Sequence, residues 1–262
     1  MMSLDQPADF VKHETVTRDA FLGGRLTVSQ PRHGFRAGLD SVLLGAAVGA
    51  GRTSLLDLGC GVGTAALVAL VHAPLMQAVL ADQNPEMLAL AARNIADNGL
   101  SERARTVAVD VSAKGSERRT AGLAENAFDA VIANPPFFTD GAGTLAGDAG
   151  RAGSRHMDGA ALDRWVKTAA GCAASGGEII FIYPATSLTP LLGAFAQRFG
   201  AITVLPLTPR PGEAASRVLV RAIKGSRAPL TLLASRSLHD AEGRGFHADF
   251  DAIFRGSARL DW

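Results

Sequence analysis

The residues with the clearest chemical potential are four in a row, Asn134-Pro135-Pro136-Phe137, which follow a largely apolar run at 128–133. A proline restricts the residue before it to an extended backbone, so the two prolines should hold Asn134 rigidly at the end of a strand. The Asn134 side-chain oxygen and the Pro135 carbonyl are both hydrogen-bond acceptors. Together they could accept both hydrogens of a planar NH₂ group, while the Phe137 ring stacks on a base. The alternative interpretation is a proline-stiffened turn with an asparagine cap.

A second candidate is the glycine-rich turn at Gly59, Gly61 and Gly63, which lies between an apolar strand at 55–58 and a helix at 65–71. Glycine lacks the Cβ that would hold a ligand away from the backbone. The free N–H groups at the start of the following helix would face a bound group. This pattern is typical of loops that bind NAD, FAD or S-adenosylmethionine (SAM), although a tight turn alone could also explain it.

Asp82 is the third candidate, because it closes the next predicted strand, at 77–81. It follows Gly61 at the spacing of roughly twenty residues at which an acidic residue meets a ribose in doubly wound folds. Its carboxylate could accept hydrogen bonds from both ribose hydroxyls. A loop aspartate that caps the following helix is the alternative.

Alternating strands and helices must position these residues. We predict a strand or a hairpin with a Gly23-Gly24 turn at 21–30, and further strands at 55–58, 77–81, 105–109, 128–133, 178–183, 202–207 and 216–223. Helices are predicted at 42–48, 65–71, 86–98, 163–174, 188–199 and 252–254, with Asp40-Ser41 and Asn84 as caps of the first and third and Gly176-Gly177 closing the fourth. This order favours an α/β fold with a parallel sheet, to which the late hairpin adds an antiparallel strand.

Residues 139–155 contain five glycines and almost no large apolar side chains. The segment is too long for a mere connection, which predicts a mobile loop. A substrate-dependent lid and simple disorder are both open interpretations. Arg151, Arg155 and His156 give its far end positive charge.

The composition limits the remaining possibilities. The chain has 262 residues, 47% of them hydrophobic, which suits one domain with a large core. Its net charge of +1 means that a nucleic-acid partner would need a local basic patch. Cys60 and Cys172 are isolated, which argues against a metal site or disulfides and suits a reducing cytosol. Because the first 20 residues have no apolar signal region and no run approaches the ~18 residues of a spanning helix, we expect a soluble, cytoplasmic protein.

The motifs together resemble those of class I SAM-dependent methyltransferases: the segment from Asp57 to Gly63, then Asp82, Asp110 and the Asn-Pro-Pro-Phe sequence. The Asn-Pro-Pro-Phe form is similar to that of enzymes that methylate exocyclic amines of bases or the amide of glutamine. The segments at 36–44, 155–156 and 218–225 more narrowly resemble the bacterial tRNA(Val) adenine-N6 methyltransferase family. The resemblance covers most of residues 21–255.

This resemblance implies a Rossmann-like, seven-stranded, mostly parallel sheet with a reversed last strand and helices on both faces. Residues 1–262 would form a single domain: an extension at 1–50 that closes the cofactor site, a core at 51–225 and a tail at 226–262. The family often has Asn-Pro-Pro-Tyr, whereas this chain has Phe137-Phe138, which keeps the aromatic face.

The resemblance also implies SAM as the cofactor, without a metal, and assigns roles to residues. The three glycines would approach its methionine part, Asp82 its ribose and Asp110 its adenine amine, while Arg36 and Asp40 would hold its amino-acid end. The expected cofactor-binding set is Arg36, Asp40, Asp57, Gly59, Gly61, Gly63, Asp82, Gln83, Asp110 and Asn134, and the expected catalytic set is Asn134, Pro135 and Phe137.

The implied reaction is methyl transfer to the N6 amine of an adenine in the anticodon-loop region of tRNA(Val). The alternatives are N-methylation of ribosomal RNA guanine or of a protein glutamine, a SAM-binding module without catalysis and, more distantly, an NAD-linked oxidoreductase. The candidates for phosphate contacts are Arg32, His33, Arg36, Arg151, Arg155, Arg210, Arg217, Arg221, Lys224 and Arg227.

Overall fold

Residues 15–34, 36–136 and 159–262 are described in a computed structural model, and these residues form eleven strands and seven α-helices. Phe137, the predicted mobile loop at 139–155 and the basic residues Arg151, Arg155 and His156 lie outside these residues. The described strands are β1 Val16–Phe21, β2 Leu26–Pro31, β3 Ser54–Leu58, β4 Gln77–Asp82, β5 Ala104–Ala108, β6 Phe128–Ala133, β7 Ala173–Pro184, β8 Phe199–Thr208, β9 Arg217–Lys224, β10 Thr231–Leu232 and β11 Arg236–Ser237. The described helices are α1 Leu39–Ala46, α2 Thr64–His72, α3 Pro85–Asp97, α4 Gly115–Thr120, α5 Gly159–Cys172, α6 Leu188–Ala196 and α7 Ala248–Phe254.

One central sheet carries the strand order β10-β8-β9-β7-β6-β3-β4-β5, and β11 also pairs with β8. The strands from β3 to β7 run parallel, whereas β9 runs antiparallel to both β7 and β8. The predicted mixed α/β sheet with a reversed strand is therefore confirmed. Two strands of two residues each, β10 and β11, extend the seven predicted long strands to nine.

Helices cover both faces of this sheet with their apolar sides, as the alternation of residues along β3 requires. Leu55 packs in one cluster with residues of α1, α2, α3 and α7. Leu56 and Leu58 pack in a second cluster with residues of α5 and α6. The site therefore has to form at the ends of the strands, because their faces are covered.

The N-terminal strands β1 and β2 form a separate antiparallel hairpin. A short 3-10 helix at Leu22–Gly24 connects them, so the predicted hairpin with its Gly23-Gly24 turn is confirmed but begins earlier in the chain. At the other end of the chain, the Trp262 indole N–H donates to the Ala47 carbonyl at 2.9 Å. The tail thus packs against the end of α1.

Three predicted boundaries are wrong for identifiable reasons. Asp40 does not cap the first helix, because α1 begins at Leu39 with Gly38 as its N-cap. The fifth helix ends at Cys172, and Gly176-Gly177 lie inside β7, where the pairing with β6 shifts register and Gly177 lies against the Phe128 carbonyl. The helix predicted at 188–199 stops at Ala196, since Phe199 already belongs to β8.

Within the described parts of the chain, no helix is both long and apolar enough to span a membrane.

Candidate functional site

Three neighbouring parallel strands end at one edge of the sheet, which we call the carboxyl edge. In the register, Leu58 of β3 lies opposite Ala133 of β6 and opposite Ala81 of β4. The glycine turn, Asn134 and Asp82 follow directly after these three residues. The sequence motifs, which are up to 75 residues apart in the chain (134 − 59), therefore meet at one place.

The glycine turn adopts a backbone that few other residues could follow. Gly59, Gly61 and Gly63 have φ angles of 67°, 54° and 86°. Gly63 is the N-cap of α2, and a Cβ added there would lie 2.6 Å from Leu80 Cδ2. Glycine is thus required both by the left-handed backbone and by close contact with the core.

Asp82 connects two backbone segments at this edge. One carboxylate oxygen accepts from the Gly61 amide at 2.9 Å, and the other accepts from the Asn84 amide at 2.8 Å. The Asn84 side chain caps α3 by accepting from the amides of Glu86 and Met87, which confirms the predicted cap and rejects Asp82 for that role. An ionised carboxylate offers about four lone-pair sites, so Asp82 has capacity for further donors.

Asp110 and Gln83 lie beside Asp82. Asp110 follows β5 and is exposed, and one of its oxygens accepts from the Ser112 amide at 2.7 Å. The Val109 amide donates to the Asp82 carbonyl at 2.9 Å, which places the two strand ends next to each other. Gln83 is also exposed at this edge.

Asp57 lies within β3 and is buried, with 2% of its surface exposed. Its carboxylate accepts from the Ala66 amide of α2 at 3.2 Å. Burial raises the pKa of this carboxyl to about 7, and the nearby charge of Asp82 adds to the effect. Its described contact therefore connects the strand to the helix that follows the glycine turn.

Asn134 stands half-buried at the end of β6, and Pro135 is buried. Their position is set by the pairing of β6 with β3 on one side and β7 on the other. The third predicted catalytic residue, Phe137, lies outside the described residues.

Arg36 and Asp40 have partners elsewhere in the chain. Arg36 forms an ion pair with Asp19 of the hairpin at 2.7 Å and donates to the Pro31 carbonyl. Asp40 forms an ion pair with Arg217 at 3.0 Å. Because Arg217 lies opposite Pro184 at the end of β7, Asp40 lies at the carboxyl edge.

Two further residues contact the glycine turn and were missed by the sequence predictions. Asn94 of α3 is fully buried and donates to the Val62 carbonyl at 3.0 Å. Trp165 of α5 lies so close to Gly59 that a Cβ added there would be 2.3 Å from Trp165 Cη2. The signal for Asn94 was an asparagine inside an amphipathic helix, four residues before the second asparagine, Asn98, at the helix end. Trp165 had no distinguishing pattern.

Comparison with known proteins assigns the family. The model of the methyltransferase small domain family matches residues 40–206, which is more than half of the chain. The chain belongs to the methyltransferase small domain family.

Relatives of this methyltransferase agree with that assignment. A tRNA1(Val) (adenine(37)-N6)-methyltransferase of Shewanella loihica is 30% identical over 80% of this chain and 87% of its own length. One of the same name from a Flavobacteriaceae bacterium is 32% identical, but the match covers 44% of this chain and only 46% of that relative. A release factor glutamine methyltransferase of Caulobacter vibrioides is 37% identical over 32% of this chain and 26% of its own length.

The fold comparison agrees as well. A crystal structure from Agrobacterium tumefaciens, named a predicted O-methyltransferase, has a TM-score of 0.72 and 30% identity, and the match covers 84% of this chain and 98% of that one. The predicted class, a SAM-dependent methyltransferase with a Rossmann-like fold, and the predicted cofactor are thereby confirmed. The same assignment supports a methyltransferase over the distant alternative, an NAD-linked oxidoreductase.

Proposed function

We propose that this methyltransferase methylates the exocyclic N6 amine of an adenine in tRNA, in the anticodon-loop region of tRNA(Val). The observation that carries the proposal is the position of Asn134, directly beside the glycine turn at the ends of two paired strands. The names of two relatives support the choice of substrate.

The residues of the carboxyl edge fit SAM. The glycine turn exposes no side chains at three positions, and Asp82 and Asp110 have acceptor capacity for hydroxyl or amine donors beyond their described contacts. We propose that Gly59, Gly61 and Gly63 lie along the methionine part, that Asp82 accepts from the ribose and that Asp110 accepts from the adenine amine.

The other predicted cofactor residues differ in how directly they could contribute. Gln83 is exposed beside Asp82, and Asp40 lies at the carboxyl edge in its ion pair with Arg217, so both could contact SAM. Asp57 would act on the cofactor site only indirectly, because its buried carboxylate accepts a hydrogen bond from the Ala66 amide of α2. Arg36 would act through the hairpin or would have to exchange its ion pair with Asp19 for the cofactor.

Asn134 and Pro135 would activate the acceptor amine. An aromatic amine is a poor nucleophile because its lone pair is delocalised into the ring. If the Asn134 oxygen and the Pro135 carbonyl accept hydrogen bonds from its two N–H groups, electron density stays on the nitrogen. The transition state is then stabilised by dipoles that are already in place. Bound SAM would supply the methyl group that the nitrogen lone pair attacks, S-adenosylhomocysteine would leave as the carbon–sulfur bond breaks, and the methylated nitrogen would then lose a proton to water.

Positioning would supply the rest of the rate enhancement. Alignment of two bound reactants is worth up to ~7–11 kcal/mol in ideal cases. The rigid Asn-Pro-Pro backbone suits this role because it fixes Asn134 in relation to the sheet. A base must leave its stack to reach such a pocket, and this costs least in a loop such as the anticodon loop.

The described cations differ in their availability to phosphate. Arg32, His33 and Arg227 are exposed. Arg210 donates to the carbonyls of Asp240 and Gly243, and the Arg221 guanidinium lies 4.5 Å from the centre of the Trp262 ring. We therefore propose Arg32, His33 and Arg227 for the contacts with RNA phosphates.

A panel of acceptors tests the proposal. The protein is incubated with methyl-labelled SAM and, separately, with total tRNA, ribosomal RNA or a release factor, and an Asn134→Ala variant is the control. We expect the wild-type protein to transfer label to tRNA and the Asn134→Ala variant to transfer none. Label only in ribosomal RNA or in the release factor would select one of the alternatives, and no transfer despite SAM binding would indicate a binding module.

A further inference from the structure

Asn94 makes three hydrogen bonds from a fully buried position on α3. Its amide nitrogen donates to the carbonyls of Ser29 and Val62, both at 3.0 Å. Its side-chain oxygen accepts from the Ser29 amide at 2.7 Å. One side chain thus joins the second strand of the N-terminal hairpin to the glycine turn.

The bond to Val62 falls at the centre of the turn. Gly61, the residue before Val62, donates its backbone amide to Asp82, and Gly63, the residue after it, is the N-cap of α2. The turn is therefore held from β4 by Asp82 and from α3 by Asn94. Without Asn94, the buried Val62 carbonyl would lose this partner at the place where the backbone must approach SAM.

The hairpin side of this contact leads toward α1. Next to Ser29, the Gln30 side chain accepts from the Ala37 amide at 2.8 Å and donates to Asp19 at 2.6 Å. Asp19 in turn forms the ion pair with Arg36. Hydrogen bonds and the Ser29-Gln30 peptide link thus connect the glycine turn through Asn94 and β2 to the segment before α1.

We propose that Asn94 is a positioning residue for the cofactor, which couples the shape of the glycine turn to the docking of the N-terminal hairpin. Binding of SAM and docking of the hairpin then stabilise each other, because coupling between two sites is reciprocal. The inference rests on the proposed placement of SAM at the glycine turn. It gives the N-terminal extension a specific role in cofactor binding.

Asn98, the C-cap of the same helix, provides a matched control. Its amide donates to the Thr27 carbonyl at 2.8 Å and its oxygen accepts from the Thr27 amide at 3.0 Å. It therefore docks the same strand of the hairpin, but its described side-chain bonds do not include the glycine turn. A loss that is confined to Asn94 would come from the turn and not from hairpin docking in general.

The experiment measures calorimetric binding of S-adenosylhomocysteine to wild type, Asn94→Ala and Asn98→Ala, together with their melting temperatures. We expect Kd to rise by about tenfold or more for Asn94→Ala and to stay within about threefold for Asn98→Ala. In steady-state assays, the KM for SAM should rise for Asn94→Ala, while kcat at saturating SAM is kept. Equal affinities of the two variants would overturn the inference, whereas failure of wild type to bind would overturn the proposed cofactor placement as well.

Hydrogen exchange on the wild-type protein covers the case in which Asn94→Ala does not fold. Addition of S-adenosylhomocysteine should slow exchange of the β2 amides, including that of Ser29, because Asn94 joins this strand to the glycine turn. A merely structural Asn94 would leave these amides unchanged when ligand binds. Unchanged exchange in β2 beside slowed exchange in the glycine turn would refute the coupling.

Discussion

The Asp82 carboxylate and the Gly61 amide are joined by a 2.9 Å hydrogen bond across 21 residues of chain. This bond connects the end of β4 to the glycine turn after β3, so the side chain that we propose as the acceptor for the ribose also holds the turn. Substitutions that remove the carboxylate and substitutions that only neutralise it should therefore weaken cofactor binding to different extents.

Replacing Asp82 by alanine should weaken SAM binding by about tenfold or more, because a hydrogen bond to a charged group contributes about 1.5–3 kcal/mol. Asp82→Asn keeps one acceptor oxygen and should lose less. Calorimetry with S-adenosylhomocysteine measures both affinities. Unchanged affinity in Asp82→Ala would remove Asp82 from the cofactor site.

Gly59 and Trp165 should be energetically coupled. Gly59→Ala places a methyl group against the Trp165 ring, and overpacking of this kind costs about 1–3 kcal/mol. Urea unfolding of Gly59→Ala, Trp165→Ala and the double variant measures the coupling energy. We expect Gly59→Ala to lower the free energy of unfolding less in the Trp165→Ala background. A loss of about 1 kcal/mol should remain there because of the left-handed backbone. Strictly additive costs would contradict the contact.

Asp57 should make stability depend on pH. Burial raises its pKa from 3.8 to about 7, so between these values the folded protein binds more protons than the unfolded chain. The free energy of unfolding should therefore fall as pH rises through this window, by up to about 4 kcal/mol, and level off above it.

Asp57→Asn is the control for that pH dependence, because it cannot titrate and still offers an oxygen to the Ala66 amide. Urea unfolding between pH 4 and pH 8 should give a flatter profile for the variant than for wild type. Parallel profiles would show that Asp57 does not titrate in this range. Burial also raises the pKa of Glu178, but this group is present in both proteins and cancels in the comparison.

Local patterns were sufficient to predict the centre of the fold. The apolar run at 128–133 and the Asn84-Pro85 start of α3 have strong local causes, and both appear in the structure as predicted. The order of these elements also predicted a parallel sheet. The structure shows that Asp82, Asn134 and the glycine turn meet at one edge of that sheet, because the parallel strands before them end there.

Long-range contacts explain what the sequence could not predict. Asp40 has the residue type of a helix cap, but its carboxylate pairs with Arg217, 177 positions away. Helix propensity gives Asn94 no special role. Its role in the site comes from hydrogen bonds to the hairpin and to the glycine turn, which are distant in sequence. Gly176-Gly177 match a helix stop, but they serve an irregular pairing with β6.

Asn134→Ala should separate binding from catalysis. In the proposed complex the Asn134 side chain would accept from the acceptor amine rather than make the main cofactor contacts, so affinity for SAM should stay within a few-fold while methyl transfer falls by about 10²–10³ or more. Calorimetry and single-turnover transfer to tRNA measure the two quantities. Equal loss of both would assign Asn134 to cofactor binding.

The most direct test of the account is mass spectrometry of tRNA nucleosides from a strain that lacks this gene, complemented with wild type or with Asn134→Ala. The account predicts that N6-methyladenosine in tRNA(Val) is lost with the gene, is restored by wild type and is not restored by Asn134→Ala. Unchanged N6-methyladenosine in the strain without the gene, or full restoration by Asn134→Ala, would contradict it.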